Sequence, residues 1–164
     1  MNMTDIGFLK YSKCFSALFL ILPLAACSHT QEQYSASKRT TVKRTEIHRY
    51  VDDAARKHNV PRKIAHAVVT VESNYNCFAR NKRSGALGAM QVLPTTARSV
   101  GISGNLTDCQ TGIDAGMRYL KQALEKGGTT CEGVSLYERG IFANPVCSAY
   151  GQKVMRIASS FEQT

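Results

Sequence analysis

No two of the six cysteines stand close together in this 164-residue chain, and its four histidines form no clustered pair. The spacings from which zinc sites are built are therefore missing, and no metal or other cofactor is expected. No apolar run reaches the ~20 residues that a membrane-spanning helix needs. The longest, from Phe15 to Ala26, covers about a dozen mostly apolar residues. No segment alternates apolar and polar residues convincingly, which argues against a sheet-based fold. An internal repeat is missing too, so a solenoid or other repeat array is excluded. Acids are scarce, 12 Asp and Glu against 21 Lys and Arg, for a formal charge of +9.

What is present begins with an address. Lys10 and Lys13 flank the short apolar run on its N-terminal side, the order found in a secretory signal. The run ends in Leu24-Ala25-Ala26-Cys27, which resembles the bacterial lipobox, in which the cysteine is lipidated and becomes the mature N-terminus. Residues 1–27 are expected to be a lipoprotein signal peptide, with Cys27 the lipidation site and the lipid the link to a membrane. Ser28 stands where lipoproteins retained at the inner membrane often carry Asp. The expected location is the periplasm, anchored to the outer membrane. Removing Lys10, Lys13 and Asp5 with the leader leaves the charge near +8. For an exported basic protein, acidic cell-wall polymer or anionic lipid is a better-fitting partner than nucleic acid, and a solvated basic surface with no partner fits equally well.

Residues 28–45 are rich in Ser, Thr, Gln, Lys and Arg and hold few apolar groups. Such a segment buries too little to offset its ordering entropy and is expected to be a flexible tether. Residues 46–164 suffice for one compact domain. Four cysteines fall in it, Cys77, Cys109, Cys131 and Cys147. In an oxidising compartment an even number implies two disulfides, and four cysteines allow three pairings.

The domain reads as mainly α. Ile47, Tyr50, Val51, Ala54, Ala55 and His58 recur at helical spacing; Asn59 suits the left-handed residue that ends a helix, and Pro61 the first turn of the next. A second helix is expected from Pro61 to Glu72. Cys77 to Leu87 reads as an exposed loop, and Pro94 starts a short helix that stops at Gly101. A long helix follows, with Thr111 as the expected cap, a stripe of Ile113, Gly116, Met117, Leu120 and Leu124, and Gly127-Gly128 as its end. A shorter helical piece holds Val134, Leu136 and Tyr137. The last helix carries Val146, Ala149, Tyr150, Val154, Ile157, Ala158 and Phe161. His48, His58 and His66 fall on helices and read as surface or packing residues rather than catalysts.

Glu72 is the residue that needs an explanation. It shares a helix face with Ile64, Ala65 and Val68 by spacings of three and four, so it points toward the core or a cleft bordered by it. Burial and the negative end of the helix dipole both disfavour its anion. A carboxylic acid kept protonated can protonate a leaving oxygen. Spacing alone leaves equal room for an idle glutamate at a frayed helix end.

The ordered motifs resemble the goose-lysozyme-like domain of bacterial lytic transglycosylases. Glu72-Ser73 with Asn74-Tyr75-Asn76 is similar to that family's catalytic Glu-Ser motif. Gly88-Ala89-Met90-Gln91 and Leu93-Pro94-Thr95-Thr96-Ala97 are similar to its Gly-x-Met-Gln and Pro-x-Thr-Ala segments, and Leu106-Thr107-Asp108, Ile113, Gly116 and Tyr119-Leu120 to the segment that follows. The likeness runs from about Ile47 to Ile157. It implies a lysozyme-like helical domain that cleaves the β-1,4 bond between N-acetylmuramic acid and N-acetylglucosamine in peptidoglycan. One glutamate, here Glu72, would serve first as acid and then as base on the sugar's 6-hydroxyl, leaving a 1,6-anhydro end. Ser73, Met90, Gln91 and Tyr137 take the positions of substrate-binding residues; without the ordered motifs, core packing would be the plainer reading of Met90 and Tyr137. The likeness further suggests the pairings Cys131–Cys147, around the Tyr137 motif, and Cys77–Cys109.

One position departs from the family's Tyr-Asn-Ala-Gly pattern, where this chain reads Tyr137-Glu138-Arg139-Gly140. Glu138 is either a tolerated change paired with a basic neighbour or a second carboxylate that would permit hydrolysis. A groove that binds glycan with little turnover is the non-enzymatic alternative. An accessory that opens the wall for a secretion apparatus would use the same chemistry.

Overall fold

The structure, a computed structural model, describes residues 44–161. The expected signal peptide, Cys27 and nearly all of the expected tether lie outside the described residues. Arg44 and Thr45, assigned to that tether on composition, are already helical. The described residues form six helices and no β-strand. None of these helices is long and apolar enough to cross a membrane.

The first helix, α1, covers 44–57 and buries Val51, Ala54 and Ala55. Asn59, at φ 54°, turns the chain out of it, and the Val60 amide donates to the Ala55 carbonyl at 2.9 Å. Helix α2 (Arg62–Ser73) starts one residue later than Pro61, whose carbonyl accepts the amides of Ile64 and Ala65. Six consecutive residues, Ile64 to Val69, are buried, so α2 is covered on nearly every side. The amphipathic stripe read from the sequence understated this. His66, assigned to surface or packing, lies within the buried run, with Nδ1 2.8 Å from the Tyr75 hydroxyl and Nε2 2.7 Å from Asp52 Oδ1.

Helix α3 (Pro94–Ser99) has Pro94 in its first turn, as expected. Helix α4 (Cys109–Gly127) begins two residues before Thr111, which is not its cap. Asp108 takes that place: its carboxylate accepts from the Thr111 amide at 2.9 Å and the Thr111 hydroxyl at 2.8 Å. Helix α5 is Cys131–Arg139, and α6 is Ala149–Ser160 with the Ser148 hydroxyl capping the Gly151 amide. Val146 precedes α6 and is exposed.

Helix α2 packs on α6, α6 on α5, and α5 on α4, while α3 lies against α4. The ends of α2, α5 and α6 are thereby brought to one cleft. Cys77 is bonded to Cys109 and Cys131 to Cys147, the pairing suggested by the likeness. The first bridge ties the loop after α2 to the start of α4; the second closes the segment between α5 and α6 around α5.

Candidate active site

The end of α2 is a tight reversal. Asn74 and Tyr75 both have positive φ, 51° and 66°, an uncommon pair for residues with side chains. The Asn74 amide still donates to the Thr70 carbonyl at 3.1 Å, and the Arg44 guanidinium reaches Asn74 Oδ1 at 3.1 Å. The reversal leaves Glu72 in the last turn of α2, partly buried.

The Gly88–Gln91 turn crosses beside this helix end. Gly88 has φ 78°, and a Cβ there would sit 2.2 Å from the Leu106 carbonyl oxygen, so both backbone and space demand glycine. Ser73 does not line the cleft. Its hydroxyl donates to the Ala89 carbonyl at 2.7 Å and accepts the Asn76 amide at 3.0 Å, tying α2 to the turn. Met90 is wholly buried and packs against Gly116, so its side chain is a core residue and offers a ligand no surface. Its carbonyl accepts the Tyr137 hydroxyl at 2.8 Å. The side chain of Gln91 does face the cleft, and its amide donates to the Gly88 carbonyl at 3.0 Å. Ser73 and Tyr137 therefore hold the turn from two helices, and Gln91 is what the turn presents.

The cleft itself, about 750 Å³, is bordered by Glu72, Gln91, Tyr119, Tyr137, Glu138 and Tyr150, with Asn81 and Ser84 at one side. It adjoins a larger hollow of about 890 Å³, which shares Thr96 and Tyr119 but holds only the exposed acid Glu125. Of these two hollows, only the smaller is lined by a carboxyl partly withdrawn from water.

Burial raises the pKa of Glu72, and the nearby charge of Glu138 adds to the rise. Two groups oppose them: the Tyr150 hydroxyl, which donates to Glu72 Oε1 at 2.6 Å, and the ammonium of Lys153. Burial also pushes the Tyr150 and Tyr137 phenols upward, helped in each case by Glu72. Both stay neutral donors across the physiological range.

Glu138 lies on the exposed rim and is not paired with Arg139. Neighbours in a helix do not face one another. Arg139 instead donates to the Asn144 carbonyl at 2.8 Å, and Glu138 receives the Ser148 hydroxyl at 3.4 Å. The three described histidines, His48, His58 and His66, do not line the cleft. His58 contacts Asp114 at 2.6 Å, and the His48 ring stacks on Tyr75 with centroids 4.0 Å apart.

Tyr150 is the cleft residue that the sequence reading missed as such. It was grouped with the apolar stripe of the last helix. A phenol in a buried stripe needs a polar partner, and that requirement was the available signal.

The described residues thus form a helical domain with a partly buried acid in the last turn of α2. The family model of the transglycosylase SLT domain matches residues 49–151, and the chain belongs to that family.

Proposed function

We propose that the protein is a peptidoglycan lytic transglycosylase in which Glu72 performs both proton transfers. The observation that carries this reading is the Glu72 carboxyl itself, partly buried in the cleft, its pKa raised by burial and its Oε1 held by the Tyr150 hydroxyl. Protonated Glu72 gives its proton to the glycosidic oxygen as the C1–O bond breaks, releasing the N-acetylglucosamine hydroxyl. The resulting carboxylate then removes the proton of the muramic acid 6-hydroxyl, whose oxygen bonds to C1. The product is a 1,6-anhydro end, no water is consumed, and Glu72 is protonated again.

Glu138 supports a second reading. It borders the same cleft and its charge acts on Glu72, so a two-carboxylate hydrolysis is open to this geometry. Digestion of purified peptidoglycan followed by mass spectrometry separates the two. Anhydro ends alone support the single-acid route, and reducing muramic acid ends support hydrolysis. Wild-type protein that binds glycan yet releases no fragments would leave only a binding module.

An exported location accords with the two disulfides, which persist in oxidising compartments. The Leu24–Cys27 motif supports a lipid anchor at Cys27 that holds the domain beside the wall it would cut. Labelling with a radioactive fatty acid, lost on Cys27→Ser, tests that anchor.

A further inference from the structure

The turn that supplies Asn81 and Ser84 to the cleft carries a charge pattern that proton transfer does not use. Between Ser73 and Thr107 there is no Asp or Glu, while Arg80, Lys82, Arg83 and Arg98 all fall there. Three of these cations sit on a single exposed turn, interleaved with Asn81 and Ser84, which line the cleft beside Glu72. Among the described residues, none of the three ends in an ion pair, whereas Arg49, Arg56, Lys57, Arg62, Arg118 and Lys121 are paired with Glu46, Asp53, Asp114, Asp52 or Glu125.

The turn is also fixed in shape. Asn81 Oδ1 accepts the amides of Arg83 at 3.0 Å and Ser84 at 3.2 Å. The Asn81 amide donates to the Ala86 carbonyl at 2.9 Å, the Gly85 amide to the Asn81 carbonyl at 2.8 Å, and Gly85 takes φ 79°. A rigid turn presents its charges without first having to be ordered, so less of the binding energy is lost to entropy. Guanidinium groups match carboxylates in two-point geometry.

Resting on the peptidoglycan reading, we propose that Arg80, Lys82 and Arg83 form a specificity site for the carboxylates of the peptide stems that branch from the glycan. The sugars themselves bring the cleft little negative charge, whereas the stems end in carboxylates and leave the glycan beside the scissile bond. Continuity of the turn with the cleft wall favours this ligand over a lipid head group, which would need no cleft.

The test uses the full chain with R80Q/K82Q/R83Q, intact peptidoglycan fragments, and the same fragments with their stem carboxylates converted to amides. The substitutions are expected to raise KM for the unmodified fragments about tenfold, with kcat within about twofold, and to leave the amidated fragments unaffected. The difference should shrink as salt rises. Equal effects on both substrates, or none on either, overturn the proposal. So does loss of binding to phosphatidylglycerol vesicles with the glycan KM unchanged. Binding to both substrates is measured in parallel with Glu72→Gln, without turnover. Carboxylate-dependent binding by a wild type that cuts nothing would sink the catalytic reading and leave the stem site standing.

Discussion

The hydroxyl of Tyr150, on the last helix, donates to Oε1 of Glu72, 78 residues earlier, at 2.6 Å. The bond favours the carboxylate, while burial favours the acid. In the proposed mechanism, the two effects together hold a group that gives up a proton and takes one back. Tyr150→Phe removes only the donor. Glu72 then keeps its proton to higher pH, so the alkaline limb of the kcat/KM profile should move upward. The rate should also fall, because the carboxyl is no longer held in one orientation. An unchanged profile on soluble glycan fragments would show that the bond plays no part in tuning the acid.

Glu138→Gln should move the same limb the other way. The charge of Glu138 raises the Glu72 pKa, so its loss lets Glu72 ionise at lower pH. Under the single-acid route most activity survives and the products keep their anhydro ends. A loss on the order of 10²-fold or more would instead mark Glu138 as a working carboxylate.

Glu72→Gln should cut turnover by about 10²–10⁴-fold while binding persists. It should also stabilise the fold near neutral pH. A carboxyl whose folded pKa is raised stabilises fully only below its unfolded pKa, and that contribution is lost as pH rises through the folded value. Above its unfolded pKa the wild type therefore loses stability that the variant, with no proton to release, keeps. Thermal unfolding should show a higher Tm for Glu72→Gln near neutrality, with the gap closing below about pH 4. A gap that widens on acidification would contradict the raised pKa.

Much of this site could be read from the chain alone, and what could not has identifiable causes. The helix face of Glu72, the left-handed Asn59 and the Pro94 start are local features, set by spacing or by one residue's backbone preference. Tyr150 is different: its partner lies on another helix, and sequence spacing carries no information about contacts between helices. Met90 shows the reverse error, since a motif position matched to groove residues delivers its side chain to the core and only its carbonyl to Tyr137. At α4 two capping residues stood three apart, and the acid won because one carboxylate oxygen serves both the amide and the hydroxyl of Thr111.

The two disulfides offer a test of loop entropy inside one fold. Cys77–Cys109 closes a separation of 32 residues and Cys131–Cys147 one of 16. Replacing either pair with serine should cost about 2–4 kcal/mol in denaturant unfolding. A doubled loop adds about 0.6 kcal/mol, so the Cys77–Cys109 variant should be the weaker by that margin. The Cys131–Cys147 variant should lose more activity for its stability, because that bridge closes the segment between the helices bearing Tyr137 and Tyr150. Equal activity at equal stability would remove the second bridge from any role in shaping the cleft.

Gly116→Ala tests whether the core beneath the turn holds the active site in shape. A Cβ at Gly116 would lie 2.5 Å from Met90 Cβ and 2.6 Å from its sulfur. The sulfur can swing away, but Cβ is fixed to the backbone, so the main chain of Met90 must move. That main chain carries the carbonyl that accepts Tyr137, between Ala89, held by Ser73, and Gln91, which faces the cleft. Alanine gains about 1 kcal/mol over glycine in a helix, and overpacking costs about 1–3 kcal/mol. The net effect should be a loss of at most about 2 kcal/mol with a folded protein, alongside a disproportionate fall in kcat/KM. Adding Met90→Gly removes the Cβ as well as the sulfur, so it relieves the clash and should restore part of the activity even though it opens a cavity. Activity that follows stability alone, with no recovery in the double variant, would show that the turn tolerates displacement and that Tyr137 is anchored by something other than Met90.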